Sequence, residues 1–317
     1  MNLKNANAGQ VSRSRSGIKR SFLGFLSDWQ LYVLVFPSIV YIFIFNYMPM
    51  YGLQIAFKNF RTSLGIWGSE WVGFSHFIRF VEFPNFWLII GNTAKIGIYT
   101  LLTFPCAVIL ALLINELVNP KFKKTVQMIT YAPYFLSVVV VSSMILIFME
   151  KETGVINNII QMVGGERTAF ITFPEYFSHI FVWSGVWQTV GWGTIIYLAA
   201  LSGVSPELIE AARIDGAQRH HIVWHVNLPC IMPTIIIMLI LSSGNVLSVG
   251  FEKVYLLQNP LNLSASQVIS TYVYEVGLKG AQFSYASAIG LFNMVINLAV
   301  LMIVNFFAKR VSDISLW

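Results

Sequence analysis

The 317-residue chain has little cysteine and little charge. Its two cysteines, Cys106 and Cys230, lie in or beside apolar runs, without CxxC spacing and without a histidine at metal-ligand spacing. That excludes a disulfide framework and a zinc site, and packing suffices to explain both residues. Charged residues make up 11% of the chain, where a soluble domain carries about 25%. With 56% apolar residues, the sequence reads as a polytopic membrane protein. Several chemical signatures are missing as well. There is no GxxxxGK[ST], so the chain has no P-loop of its own for ATP. There is also no GxSxG, no HExxH and no pair of carboxylates inside an apolar run to relay protons. His220, His221 and His225 have no acid-plus-nucleophile arrangement around them. Catalysis has no candidate residues, no metal ligands are indicated, and the chain is read as a non-enzyme.

What is present is a series of long apolar runs. Six spans are expected, at about 29–48, 88–115, 125–149, 178–202, 231–251 and 282–307, each long enough for a hydrocarbon core of about 30 Å. The expected fold is all-α. Net charge is +6, which could suggest nucleic acid, but its distribution argues otherwise. With both termini on one side, 12 of the 20 Lys and Arg fall inside, 7 fall outside, and Lys95 lies within a span. This is the positive-inside bias of a membrane protein with cytosolic termini. Snorkelling to the outer interface accounts for Lys95.

The chain then divides into a basic cytosolic arm (1–28), a first span with a long outer loop (29–87), a transmembrane core (88–307) and a cytosolic tail (308–317). The basic arm and the apolar run after it could form a signal peptide, but that run is too long for an h-region and no small-residue cleavage site follows. It is therefore an uncleaved span, expected to kink near Pro37. In the outer loops, 154–163 is amphipathic and too short to span, which suits an interfacial helix. Asn259-Pro260-Leu261-Asn262 reads as a turn.

Polar residues recur in the middle of the spans. Gln188, Asn245 and Asn293 lie about 15 Å from either surface at 1.5 Å per residue. In hydrocarbon such groups need partners or water, so they are expected to face the bundle interior or a cavity. Gly290, Asn293 and Asn297 share one helical face, and Trp183, Trp187, Gly191 and Thr194 share another. Helix–helix packing is a sufficient account of Gly191, Gly244, Gly290 and Asn297. The other reading is a translocation path at the midplane containing Trp187, Gln188, Asn245 and Asn293. Aromatic faces with amide donors suit sugars.

The most polar loop, 205–230, carries its own signals. Ser205 is a good N-cap and Pro206 fits the first helical position. Glu207 and Glu210 suit the positive end of the helix dipole. Ala211 and Ala212 keep the helix thin, and Gly216 can end it in the left-handed conformation. A second short segment, 220–225, is expected before Pro229 and Pro233 turn the chain back into the membrane.

Glu210-Ala211-Ala212, Asp215-Gly216-Ala217, Val226 and Leu228-Pro229 resemble the EAA signature of the permease subunits of binding-protein-dependent ABC importers, with Val226 in place of isoleucine. Gly154-Val155-Ile156-Asn157 and Phe251-Glu252-Lys253-Val254-Tyr255-Leu256-Leu257 resemble stretches of the sugar-importing branch, with Glu252 where Phe-Asp-x-x-Tyr-x-Leu has aspartate. The Gly-Gly-Pro ending usual in that branch is absent. That departure, with the ending Asp313-Ile314-Ser315-Leu316-Trp317, resembles the branch for oligosaccharides derived from polysaccharides. The resemblance covers about 31–317. It implies a permease in a bacterial cell membrane, with an extracytoplasmic solute-binding protein, a second, similar permease and a cytosolic ATPase dimer. ATP-Mg would be used by that ATPase and no cofactor bound by this chain. Glu210, Ala211, Ala212, Asp215, Gly216, Leu228 and Pro229 would form the ATPase-coupling element, with Glu210 meeting a basic residue. Peptide, amino-acid or other small-solute cargo is the alternative within the class. An ion-coupled secondary transporter would want intramembrane acids, and a membrane scaffold would leave the spaced loop unexplained.

Overall fold

The computed structural model describes residues 29–312, with side chains through 310. The basic arm at 1–28 and the ending at 313–317 lie outside the described residues. The chain divides into two compact units after Gln54, so residues 55–87, grouped above with the first span, belong to the unit that holds the core.

The first apolar rod covers Trp29–Phe57. It begins as α1 (Trp29–Ile42), which runs through Pro37 without breaking, and becomes a π turn at Phe43–Tyr47. The irregularity therefore follows the proline by more than a turn.

In the second unit, a two-residue hairpin pairs β1 (Lys58–Asn59) with β2 (Glu70–Trp71), antiparallel. After α2 (Ser75–Val81), the next span joins α3 (Phe86–Leu102) to α4 (Pro105–Asn115). Pro105 lies in the first turn of α4, where its missing N–H does least harm.

The span expected at 125–149 is not one helix. It is α5 (Pro120–Tyr131), a 3-10 turn (Ala132–Phe135) and α6 (Val138–Phe148), bent by 98°. Pro133 cannot donate to the ladder. Ser137 then starts a new helix by accepting the Val140 N–H at 3.3 Å, as an N-cap does.

A short α7 (Val155–Met162) precedes the long helix α8 (Pro174–Ser202), which turns through 74° into α9 (Pro206–Ile214). At 1.5 Å per residue α8 is about 44 Å long, more than a hydrocarbon core.

Pro229 does not turn the chain. α10 (Arg219–Ile222), a π turn (Val223–Asn227) and α11 (Leu228–Ser243) form one continuous rod. The Leu228 N–H reaches back to the Val223 carbonyl. That wider turn gives the Pro229 ring room that an unbroken α-helix denies it.

The same rod ends at Ser243, earlier than the expected 251. Side chains of the last helix take over the backbone groups beyond it. Asn297 Oδ1 accepts the Leu247 N–H at 3.0 Å and its amide donates to Ser248 Oγ. α12 (Phe251–Leu257) and α13 (Ile269–Tyr274) follow. The turn expected at 259–262 is present, with Asn259 Oδ1 accepting the Leu261 and Asn262 N–H groups. The last helix, α14 (Phe283–Ser312), continues past 307, so the expected tail is helical to Ser312.

Among the described residues four helices are long and apolar enough to cross a membrane alone, and the count rises to six if each of the two bent pairs is one span. α8 ties the bundle together. One end packs Phe177, Phe181 and Val182 with Val141 of α6 and Val254 and Leu257 of α12. The other packs Tyr197 and Leu201 with Val108 and Ala111 of α4 and Ile231 of α11. A third cluster joins Phe80 of α2 to Phe86, Ile89, Ile269, Tyr285 and Ile289. Gly191 lets α8 approach α5 closely, since a Cβ there would collide with the Thr130 carbonyl. Gly244 is likewise tight against Leu301, but nothing lies within 4 Å of a Cβ at Gly290. Packing thus explains Gly191 and Gly244 and does not explain Gly290.

Candidate functional site: a capped loop helix and an aromatic cavity

α9 is built from local signals. Ser205 Oγ accepts the Glu207 N–H at 3.2 Å, and Pro206 occupies the first position. At the other end Gly216 has φ +81°. Its N–H bonds the Arg213 carbonyl, and the Ala217 N–H bonds the Ala212 carbonyl. This pair of bonds is a Schellman motif, which needs a residue at ease with positive φ. No residue of α9 is buried. Glu210, Ala211, Asp215 and Gly216 are exposed and Ala212 is half-buried. Leu208 and Ile214 are also uncovered, Ile214 at 87% exposure. The end of this loop is anchored differently. Leu228 packs beside the cluster of Tyr197 and Ile231, whereas Pro229 is exposed. Asn227, which the sequence did not single out, is buried, and its amide donates to Glu116 Oε1 at the end of α4.

The midplane residues do not share one site. Gln188 is buried and donates to the Leu136 carbonyl at 3.1 Å, supplying a partner where the bent α5–α6 pair leaves the helical ladder. Asn293 donates to the Leu247 carbonyl at 3.5 Å, while its Oδ1 is buried without a partner. With Asn297 it braces the chain beyond α11, so Asn297 does more than glue helices. Asn245, just past the end of α11, is exposed and donates back to the Leu241 carbonyl of that helix. Trp187 lines a cavity.

That cavity, about 570 Å³, lies between α6 and α8 and is lined by Val141, Met144, Ile145, Phe148 and Met149 on one side and by His179, Ile180, Trp183, Ser184 and Trp187 on the other. Trp183 Nε1–H donates to Tyr99 Oη at 2.8 Å, and Tyr99 Oη lies 2.9 Å from His179 Nδ1. An aromatic wall with a hydrogen-bonded rim is the result. The sequence showed the tryptophans but not Tyr99, which is remote in the chain.

Lys253 was also missed as a site residue, although it is a lone cation in an apolar stretch. It is 8% exposed. Its Nζ donates to the Phe181 carbonyl at 2.9 Å and lies 5.0 Å from the Phe181 ring centroid. Burial pushes its amine down to about 8, because the charged form loses hydration.

The region 89–313 matches the family described as binding-protein-dependent transport system inner membrane component. The chain is 41% identical over 296 residues to the polygalacturonan/rhamnogalacturonan transport system permease protein YteP of Bacillus subtilis, covering 93% of this chain and 92% of that one. It is 42% identical over 284 residues to protein LplB of the same organism, with 89% of each covered. A chain from the crystal structure of a bacterial ABC transporter involved in import of the acidic polysaccharide alginate superposes with a TM-score of 0.85 at 38% identity, covering 92% of this chain and 99% of that one. A second chain, from the alginate transporter in complex with an alginate pentasaccharide-bound periplasmic protein, gives 0.84 at 38% identity, covering 96% of this chain and 100% of that one.

Proposed function

The chain belongs to the binding-protein-dependent transport system inner membrane components, and from that premise we propose that it is the permease subunit that carries oligosaccharides inward in an ABC importer. The observation that carries the coupling part is α9. It is capped at both ends yet buries no residue against its own chain, as expected of a helix shaped to dock in another protein. We assign that partner as a cytosolic ATPase, which binds and hydrolyses ATP-Mg, with Glu210 meeting a basic residue of its cleft. Ala211 and Ala212 admit close approach, Asp215 and Gly216 form the bend, and Leu228-Pro229 joins the loop to the span. Both termini then face the cytosol, in keeping with the positive-inside bias.

The cargo reading draws support from the polysaccharide named for the relative and from the alginate transporters. Cargo would arrive on an extracytoplasmic solute-binding protein, and a second, similar permease would complete the path. Trp187 is the member of the proposed path with the best geometric support, since it lines the aromatic cavity. The test is to purify the chain with its co-expressed partners and measure ATP-driven uptake of oligosaccharides into proteoliposomes. Co-purification of an ATPase and binding-protein-dependent uptake are expected. Transport driven by an ion gradient without ATP would overturn the assignment.

A further inference from the structure

Asn227 ends the π turn between α10 and α11 and is 2% exposed. Its amide donates to Glu116 Oε1 at 3.4 Å, and its Oδ1 is buried without a partner. A buried amide that makes one long bond and leaves its oxygen unpaired stabilises a fold poorly, because the unmet oxygen keeps its desolvation cost. A leucine of nearly the same shape would fill the space without that cost. Glu116 is only half-buried, so water reaches its carboxylate whether or not the amide is there. Stability therefore does not account for Asn227.

The place of the bond does. α9 buries no residue against the bundle, so a displacement of it enters the bundle through the two segments that continue it. One is α8 and the other is the rod Arg219–Ser243. α4 packs on α8, with Val108 and Ala111 against Tyr197 and Leu201, and so follows the first arm. Glu116, directly after α4, then holds the start of the rod through Asn227, across 111 residues of sequence. The bond closes a ring that runs from α8 through α9 to the rod and returns through α4. Apolar packing between these helices is non-directional, whereas a hydrogen bond fixes both distance and direction. Beyond the rod, Gly97 of α3 lies so close to the Val246 carbonyl that a Cβ there would collide with it. The α3–α4 span is thus tied to this segment at two levels, near its middle by backbone contact and beside the loop by one polar bond.

We propose that Asn227 is a positioning residue for transport. Its bond to Glu116 keeps the two arms of the coupling loop in register, so that a push on α9 turns α8 and the rod as one body. Without the bond the push is taken up by the bend at Gly216, where φ is +81°, and by the π turn. The proposal rests on the ATPase-coupled reading above and adds the joint that passes the movement on. The buried amide is kept for alignment at the expense of stability, a use of buried polar groups with precedent in other proteins.

The experiment uses the complete importer with its binding protein in proteoliposomes, and radiolabelled trigalacturonate, a fragment of the polymer named for the relative, as the probe. Uptake per ATP hydrolysed is measured beside the unfolding midpoint of the same preparation. Asn227→Leu should lower that ratio about ten-fold, as loss of one hydrogen bond to a charged group allows, with hydrolysis retained and the midpoint unchanged or raised. Glu116→Leu should lower the ratio alike, and the double variant no further than either single one, since both remove the same bond. Glu116→Gln keeps an acceptor oxygen before the amide and should keep most of the ratio. An unchanged ratio in Asn227→Leu, beside a wild type that couples normally, overturns the joint alone. A ratio that falls only in step with the midpoint marks a structural amide and overturns it too, as do losses in the single variants that add in the double. Uptake by wild type that consumes no ATP overturns the coupling reading, and the joint with it.

Discussion

α9 is held by bonds that reach no further than five residues along the chain, from Ser205 at one end and Gly216 and Ala217 at the other. The segment 150–168, in a loop on the opposite side of the bundle, is held from within. Asn157 is fully buried there. Its amide donates to the carbonyls of Glu150 and Thr168 at 3.0 Å each, and its Oδ1 accepts the Thr168 N–H at 2.9 Å. Glu150 caps the same turn through the Thr153 N–H and hydroxyl, which hold its carboxyl below the usual glutamate range. Asn262 does similar work between the Ile171 and Leu257 carbonyls. Both regions are held by bonds of this chain, but those of α9 stay within the helix and its caps, whereas at 150–168 a buried side chain ties together backbone groups on either side of it. The contrast implies that the exposed helix keeps its surface for a partner, whereas the opposite face is a fixed frame.

If so, substitutions should separate stability from transport according to region. The largest loss of stability is expected for Asn157→Leu, which strands several buried backbone groups and should cost about 3 kcal/mol. A lowered midpoint in detergent-phase thermal unfolding checks it. Gln188→Ala leaves the Leu136 carbonyl without its partner and opens a small void, for about 1–2 kcal/mol in the same assay. Removing the cap with Ser205→Ala should cost roughly 1 kcal/mol locally, seen as faster amide exchange confined to α9 with little change in global unfolding. Asn245→Ala is the smallest, within about 0.5 kcal/mol, because the side chain is exposed and bonds back four residues to Leu241. A global unfolding shift for Ser205→Ala as large as that for Asn157→Leu would break the comparison.

The same contrast decides what could be read from the sequence. Ser205, Pro206 and Gly216 act within one or two turns of themselves, so their roles were legible from spacing alone. α7 and the turn at Asn259 were legible for the same reason. The carbonyl freed at the break in the third span is satisfied by Gln188, 52 residues away, and the early end of α11 is braced by Asn297, 50 residues from Leu247. Hydropathy is blind to such partners, so it drew both segments as plain spans. Gln188 and Asn293 were found by their cost in hydrocarbon, but that argument could not tell a solute path from a brace on a neighbouring backbone. The proline signal at 229 failed because a π turn absorbed it.

The most direct test of the central claim is ATP-driven uptake by the reconstituted importer carrying Glu210→Lys, with protein abundance and unfolding midpoint measured on the same preparation. Glu210 is exposed and makes no ion pair among the described residues, so the account predicts uptake reduced at least ten-fold with abundance and midpoint unchanged. Normal uptake by this variant would contradict the claim that α9 is the contact through which the partner drives transport.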